Sequence, residues 1–468
     1  MIKTFKLLKK HILEKLPQIT FVSLTVVFLI NAFYNIALLN DGTFNFANIL
    51  LNVLWTEERF FATFIVNLPM IIAIKLGSTD FNLLIILQGF WFFFVTLICL
   101  FTAYVNIPSK NKDYFQFVLL SYLITMNFVG TFISSKSFIC AGLYWIIAVI
   151  FIFEDYNKIT YKKLLLLIIV SLLLIKNYEW NVIFVSLLAV YHIFKIKTLN
   201  ADTKILKELF LYIIFFIFLL TIYLFLKNFF TDKDFFIYIA KNPLIEAFEG
   251  WKPRQVLITF AIIALICSLS FFKNKNKLIF AILVSCFLCL ILLFIKYNFL
   301  YAIAKYRLLN FFVPLFFSVS LFLVFKKNIF INFKIIKILN IILLVFFIIN
   351  ISIIAYNWNK SLNNSFAVLN NSKGIVKAED YPLSLQEGFQ LHTWISIIIQ
   401  KQRNISYIES VFGNFDPKKP KNNAVLKTVE NILYIPDLRK FGITYSDDLL
   451  KKIQENSKLN SKINEILK

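Results

Sequence analysis

Residues 40–75 read NDGTFNFANILLNVLWTEERFFATFIVNLPMIIAIK, and how this stretch meets a membrane decides the fold. It follows an apolar run, Ile19 to Leu39, that is long enough to cross a bilayer. In its first part the polar residues are Asn45, Asn48, Asn52, Thr56 and Arg59. A spacing of three and four gathers them on one helical stripe, with apolar side chains covering the rest. Such a helix lies in the membrane interface, apolar face down. The second part, Phe60 to Lys75, is apolar but shorter than the ~20 residues a span needs. It contains Asn67 and Pro69 and ends in a charge. Proline removes a backbone donor and bends a helix. The expectation is a hairpin on the outer face that dips into the outer leaflet and returns. The alternative is an ordinary short second span.

Charge separates the two readings. With a returning hairpin, the loops NIPSKNKDY, EDYNKITYKK, KIKTLNADTK and KNKNK all fall on the side of the basic N-terminus MIKTFKLLKKHILEK. That is where the positive-inside rule places lysine. If Phe60 to Lys75 crossed, these loops would move to the opposite side.

The surrounding chain is apolar throughout. Of 468 residues, 59% are hydrophobic and the mean hydropathy is +0.75. Apolar runs near twenty residues recur, so the expected fold class is an all-α polytopic membrane protein of about eleven spans. The first run is longer than a signal-peptide core and lacks a small-residue cleavage pattern, so it is expected to stay as an anchor. The net charge of +23 sits in short loops, which argues for membrane topology and against nucleic acid. The five cysteines, Cys99, Cys140, Cys267, Cys286 and Cys289, fall in apolar segments, so no disulfide framework is expected in the polar tail. His192, near the inner end of a span, reads as a packed or snorkelling residue.

Two regions follow: a multi-span region at residues 1–355, and a C-terminal region at residues 356–468 placed outside the membrane. Helices are expected over Ser384 to Gln402, Asn422 to Asn431 and Asp447 to Leu467. Strands are expected at Lys373 to Lys377, Ser406 to Ser410 and Ile432 to Ile435. The tail therefore reads as a small α/β or mostly helical domain.

No Walker loop, dinucleotide fingerprint, HExxH or nucleophile elbow occurs in the chain. What remains is charge at the outer membrane surface, where each ionised group is costly. Asp41 stands where the first span ends; it reads either as a base or metal ligand at a cavity mouth, or as a turn residue beside Gly42. Glu57, Glu58 and Arg59 close the interfacial helix and place acids and a guanidinium at lipid-phosphate height, or form a solvated run. Glu179 lies in a tight turn between two short spans, which reads as the wall of a recess. Lys136, Lys305 and Arg307 are candidate anion contacts, with Arg307 the better bidentate phosphate partner. Plain anchoring to anionic headgroups is the alternative for Arg307.

An acid outside the first span (Asp41), interfacial helices in the first outer loop (Asn45 to Lys75), a later polar outer loop (Ser134-Ser135-Lys136) and a terminal external region (Tyr356 to Lys468) make a layout. It resembles the GT-C superfamily of membrane glycosyltransferases. The resemblance implies a polyprenyl-phosphate-linked sugar donor and an envelope glycan, lipid or protein acceptor. It also implies chemistry on the outer face of the inner (plasma) membrane, with the N-terminus cytoplasmic. Asp41 takes the family's role of base or ligand to a divalent metal (Mg or Mn). The chain departs from the family where Gly42-Thr43 follows Asp41 in place of a second acid, and where Ser134 to Lys136 lacks an acidic motif. Glu179 and Glu57 are the remaining acids available to assist. A polysaccharide or lipid transporter, flippase or polymerase is the competing class.

Overall fold

Apolar helices that expose their side chains need a solvent other than water, and this chain has several. In the computed structural model, α1 spans Leu16–Phe33 and presents Val22, Val26, Ile30 and Phe33 on one open stripe, with Val22 and Phe33 more than 60% exposed. The structure describes residues 13–39, 41–50, 60–129, 137–175, 181–199, 204–231, 303–326, 333–372, 375–377, 381, 389–405, 407–408, 410–412, 442–445, 447 and 451. Among them, four helices are long and apolar enough to cross a membrane: Leu16–Phe33, Phe81–Asn106, Ile205–Lys227 and Phe333–Asn371. Shorter apolar helices lie at Phe64–Lys75, Phe138–Phe153, Phe184–Ile196 and Val313–Lys326. The chain is a mostly helical membrane protein.

The described elements after α1 are α2 (Asp41–Leu50), α3 (Phe60–Lys75), α4 (Phe81–Asn106), α5 (Phe115–Val129), α6 (Ser137–Phe153), α7 (Tyr161–Leu174), α8 (Asn181–Ile196), α9 (Ile205–Thr231), α10 (Ile303–Lys326), α11 (Phe333–Asn371) and α12 (Phe389–Gln402). The strands are β1 (Ile375–Lys377), β2 (Tyr407–Ile408), β3 (Ser410–Phe412) and β4 (Thr444–Tyr445). Contacts divide the chain into two units. One is Met1–Val22, Thr96–Gly130 and Lys136–Phe347; the other is Ser23–Val95, Thr131–Ser135 and Ile348–Lys468.

In the first unit α6 is the central helix. Its described residues are buried all round, as a helix apolar on every face should be. It packs against α7, α8 and α10. Gly142 lets α6 approach closely, since a Cβ there would lie 2.8 Å from the Cβ of Cys99; small residues do this between membrane helices. Tyr144 stacks on Phe184 at 4.1 Å and shares a hydrogen bond with Ser318. His192 is a packed residue, as expected. The Tyr156 hydroxyl donates to its Nδ1 at 2.7 Å, and its Nε2–H donates to the Leu211 carbonyl at 2.8 Å. A carbonyl only accepts, so the proton sits on Nε2. Asn340 on α11 donates to both the backbone and side-chain oxygens of Gln116.

In the second unit the later part of α1 and the early part of α4 run antiparallel. Phe28 stacks on Phe93 at 4.4 Å, and Gly89 sits against Ala32 and Ala37. The intervening stretch therefore leaves and returns at the same end of this helix pair. Its second half, α3, has the expected bounds. Trp91 of α4 donates its indole N–H to the Ile65 carbonyl of α3 at 2.8 Å. The turn between them is specified locally. Gly77 adopts φ +89°, and the Gly77 and Ser78 amides close back on Ile74 and Ala73, a Schellman ending. Asp80 then caps α4 by accepting from the Asn82 amide at 2.9 Å.

The first apolar helix is shorter than expected, ending at Phe33 instead of Leu39. Asn35 adopts φ +58°, the left-handed region that Asn tolerates, and a 3-10 turn over Ile36–Leu38 follows. The last apolar helix is longer than its apolar run. The α11 helix passes unbroken through Ala355 and Tyr356 to Asn371. Beyond the apolar run, Trp358, Leu362, Ser365 and Leu369 bury one face at helical spacing.

That face joins a core built from Ala37, Phe46, Met70, Phe81 and Leu84 together with Val376, Tyr381 and the α12 residues Ile395 and Ile397–Ile399. Strand β1 pairs in parallel with β3, with α12 between them in sequence, and β2 pairs in parallel with β4. The C-terminal segment is thus an α/β element. Two of its strands fall in the stretches expected, Lys373 to Lys377 and Ser406 to Ser410. The expected strand Ile432 to Ile435, the helix Asn422 to Asn431 and nearly all of the helix Asp447 to Leu467 lie outside the described residues.

Candidate functional site

Asp41 opens α2, so the reading of it as a turn residue closing a helix does not hold. Its backbone is fixed by its neighbours. The Gly42 amide donates to Leu39 O at 3.2 Å. The Thr43 hydroxyl donates to the Leu38 carbonyl, and the buried Gln88 amide donates to Gly42 O at 3.3 Å. A Cβ at Gly42 would collide with the Ala37 carbonyl oxygen. The 3-10 turn therefore presses directly on the first turn of α2, and only glycine fits between them. A carboxylate on the first residue of a helix also gains about 0.3–1 kcal/mol from the helix dipole.

Two further elements hold the turn that precedes Asp41. Asn35 is the meeting point. The Trp358 indole N–H of α11 donates to Asn35 O at 2.9 Å. The Gln402 amide of α12 donates to Asn35 Oδ1 at 2.7 Å, and the Asn35 amide reaches Asn359 Oδ1 at 3.4 Å. Asn35 is 7% exposed, so each of these bonds satisfies a group that water does not reach. Helix α12 also packs directly on α2. The segment carrying Asp41 is thus clamped between its own turn and the C-terminal α/β element.

Lys305 and Arg307 lie in the first two turns of α10, inside the helix and not in the loop before it. Glu57, Glu58, Arg59, Lys136 and Glu179 lie outside the described residues, as do the side-chain surroundings of Asp41, Lys305 and Arg307. A divalent ion such as Mg or Mn takes several oxygen ligands. Among the described residues no group of three or more His, Cys, Asp or Glu is placed to hold one.

No family model matches the chain, nor does any curated protein or solved structure.

Sequence reasoning passed over Asn35, Gln88, Trp358 and Gln402. Gln88 carried a signal, being the one amide in the interior of α4, away from Asn82 and Asn106 at its ends. A buried amide in an apolar helix needs a partner, and the Gly42 carbonyl is that partner.

Proposed function

We propose that the chain is a membrane glycosyltransferase that moves a sugar from a polyprenyl-phosphate-linked donor to an envelope glycan, lipid or protein. The observation that carries this reading is the fixed placement of Asp41. A carboxylate stands at the start of a helix whose backbone is locked by Gly42, Thr43 and Gln88, directly after an apolar helix with a lipid-facing stripe. A general base must be held in place to act, and the locked backbone at Asp41 supports that role.

In the proposed reaction the Asp41 carboxylate takes the proton of an acceptor hydroxyl. The acceptor oxygen bonds to the anomeric carbon of the donor sugar as the bond from that carbon to the donor phosphate breaks. The phosphate leaves with the electron pair, and the configuration at carbon inverts. Glu57 orients the acceptor, and Glu58 and Arg59 meet the donor headgroup. The proposed topology has about eleven spans in the inner membrane, a cytoplasmic N-terminus and the C-terminal segment outside. The antiparallel pairing of α1 with α4 supports a hairpin that returns without crossing.

Two experiments test this. Full-length protein in proteoliposomes, given polyprenyl-phosphate sugars and an acceptor mixture, is expected to transfer label. Asp41→Asn is expected to lower the rate about 10²–10⁴-fold, the range for a lost general base. An unchanged rate would remove Asp41 from the chemistry. Single cysteines at Asp41, Gly77, Glu179 and Lys468, in a chain without native cysteines, are expected to label from outside the cell, and one at Lys110 is not. Labelling of Gly77 from the cytoplasm would make α3 a true span and break the proposed site apart.

A further inference from the structure

Several helix ends of the first unit meet on one aromatic residue. The ring of Tyr114 packs against Phe153 at 5.8 Å, Phe325 at 5.7 Å and Phe333 at 5.1 Å. This brings together the last turns of α6 and α10, the start of α11 and the 3-10 helix Ser109–Tyr114. Among the described residues of the connections at this end, 107–114, 154–163, 195–199, 204–208, 326 and 333–337, twelve lysines stand against four carboxylates. The excess makes this end strongly positive.

Four of the lysines converge. Lys163 pairs with Glu154, and Lys195 donates to the Glu154 carbonyl at 2.7 Å. Lys112 caps α4 by donating to the Tyr104 and Val105 carbonyls. Lys326 lies over the Phe322 ring at 5.4 Å and makes no ion pair among the described residues. Burial holds the Lys195 amine below its usual range; Asp155 and Glu154 pull against that shift, and the nearby charge of Lys326 adds to it. Lys112 is lowered too, by partial burial and then by the charge of Lys163. The like charges are thus close enough to oppose one another.

Exposed apolar side chains lie near the ends of the helices that these connections join. Val105, Phe194, Ile205 and Leu209 are each more than half exposed. Phe194 adjoins Lys195 in the chain, and Val105 supplies one of the carbonyls that Lys112 caps. Concentrated positive charge next to open apolar surface matches a molecule with a phosphate at one end and acyl chains at the other. Free phosphate matches only half of that surface.

We infer that this end of the first unit binds the phosphate headgroup of an anionic phospholipid, with Lys112, Lys163, Lys195 and Lys326 supplying the charge and the adjoining apolar residues taking the acyl chains. This site is separate from the chemistry proposed for Asp41 and does not depend on it.

The test uses full-length protein in detergent, read by native mass spectrometry after addition of phosphatidylcholine, phosphatidylglycerol or diphosphatidylglycerol. The expected result is retention of one or two anionic lipids and no retention of phosphatidylcholine. Lys326→Gln is expected to weaken retention about fivefold, and Lys163→Gln with Lys326→Gln ~25-fold, from roughly 1 kcal/mol per lysine. Lys326→Arg keeps the charge and is expected to bind as the parent does. Equal retention of phosphatidylcholine, or an unaltered Lys326→Gln variant, would overturn the inference. Displacement of the lipid by equimolar inorganic phosphate would also overturn it, by making the site one for soluble phosphate.

Discussion

Trp358→Ala will release the C-terminal α/β element from the turn ahead of Asp41. The indole is 6% exposed within the core of the second unit, and its N–H holds the Asn35 carbonyl. Removing a buried Trp side chain costs about 3–5 kcal/mol. Leaving a buried carbonyl without a donor adds about 1–3 kcal/mol. A loss of this size exceeds the margin by which many domains stay folded. Hydrogen exchange is the direct readout. The amides of Ile395 and Ile397–Ile399, buried in the parent, are expected to exchange rapidly in the variant, while those of α6 keep their protection. Trp358→Phe separates the two contributions, since it keeps most of the burial and loses only the N–H donor. If Trp358→Ala leaves exchange at Ile395–Ile399 unchanged, the indole does not hold this core together.

The second large effect is expected at Gly42. A single methyl there meets the Ala37 carbonyl oxygen, a backbone atom that cannot rotate away. Either the 3-10 turn or the first turn of α2 must shift. Overpacking of this kind costs about 1–3 kcal/mol, and Gly42→Val should cost more than Gly42→Ala. The shift would also carry Gly42 O away from the Gln88 amide. Gly77 gives the contrast. Its φ is +89°, and an added Cβ would meet nothing within 4 Å. Gly77→Ala therefore bears only the backbone strain, about 1–2 kcal/mol. Thermal inactivation of the two alanine variants in one detergent compares them directly. Gly42→Ala is expected to lose the proposed sugar transfer by more than its stability loss explains, because Asp41, the proposed base, moves with the turn. Gly77→Ala is expected to transfer normally at temperatures where it is folded.

What could be read from the sequence depended on the range of the interaction. The α3 helix was legible to the residue because its ends are local: an apolar run closed by Lys75 and stopped by Gly77. The strand β1 was legible for the same reason. The end of α1 was not, because the apolar run continues to Leu39 while the backbone turns at Asn35, and that turn is held by Trp358 and Gln402. The full length of α11 was also hidden. Hydropathy falls after Ala355, and the helix continues on a different footing, with Trp358, Leu362 and Leu369 facing a core instead of lipid. Of the candidate site, the place of Asp41 at the exit of the first apolar helix was visible. The clamp around it was not, because spacing within one segment says nothing about a partner several hundred residues away.

That separation has a consequence for how the protein is made. Asn35 and Gln402 are 367 residues apart. At a synthesis rate of ~5–20 residues per second, about 20 to 70 s pass between the appearance of one and of the other. Until then the turn ahead of Asp41 has no clamp, and the apolar faces of Phe46, Met70 and Phe81 have no cover from α12. The nascent chain waits with its first hairpin half-assembled while the helices between Asn35 and Gln402 are made. A segment made late completes one made early, and a chain released before Gln402 would carry Asp41 on an unfinished support.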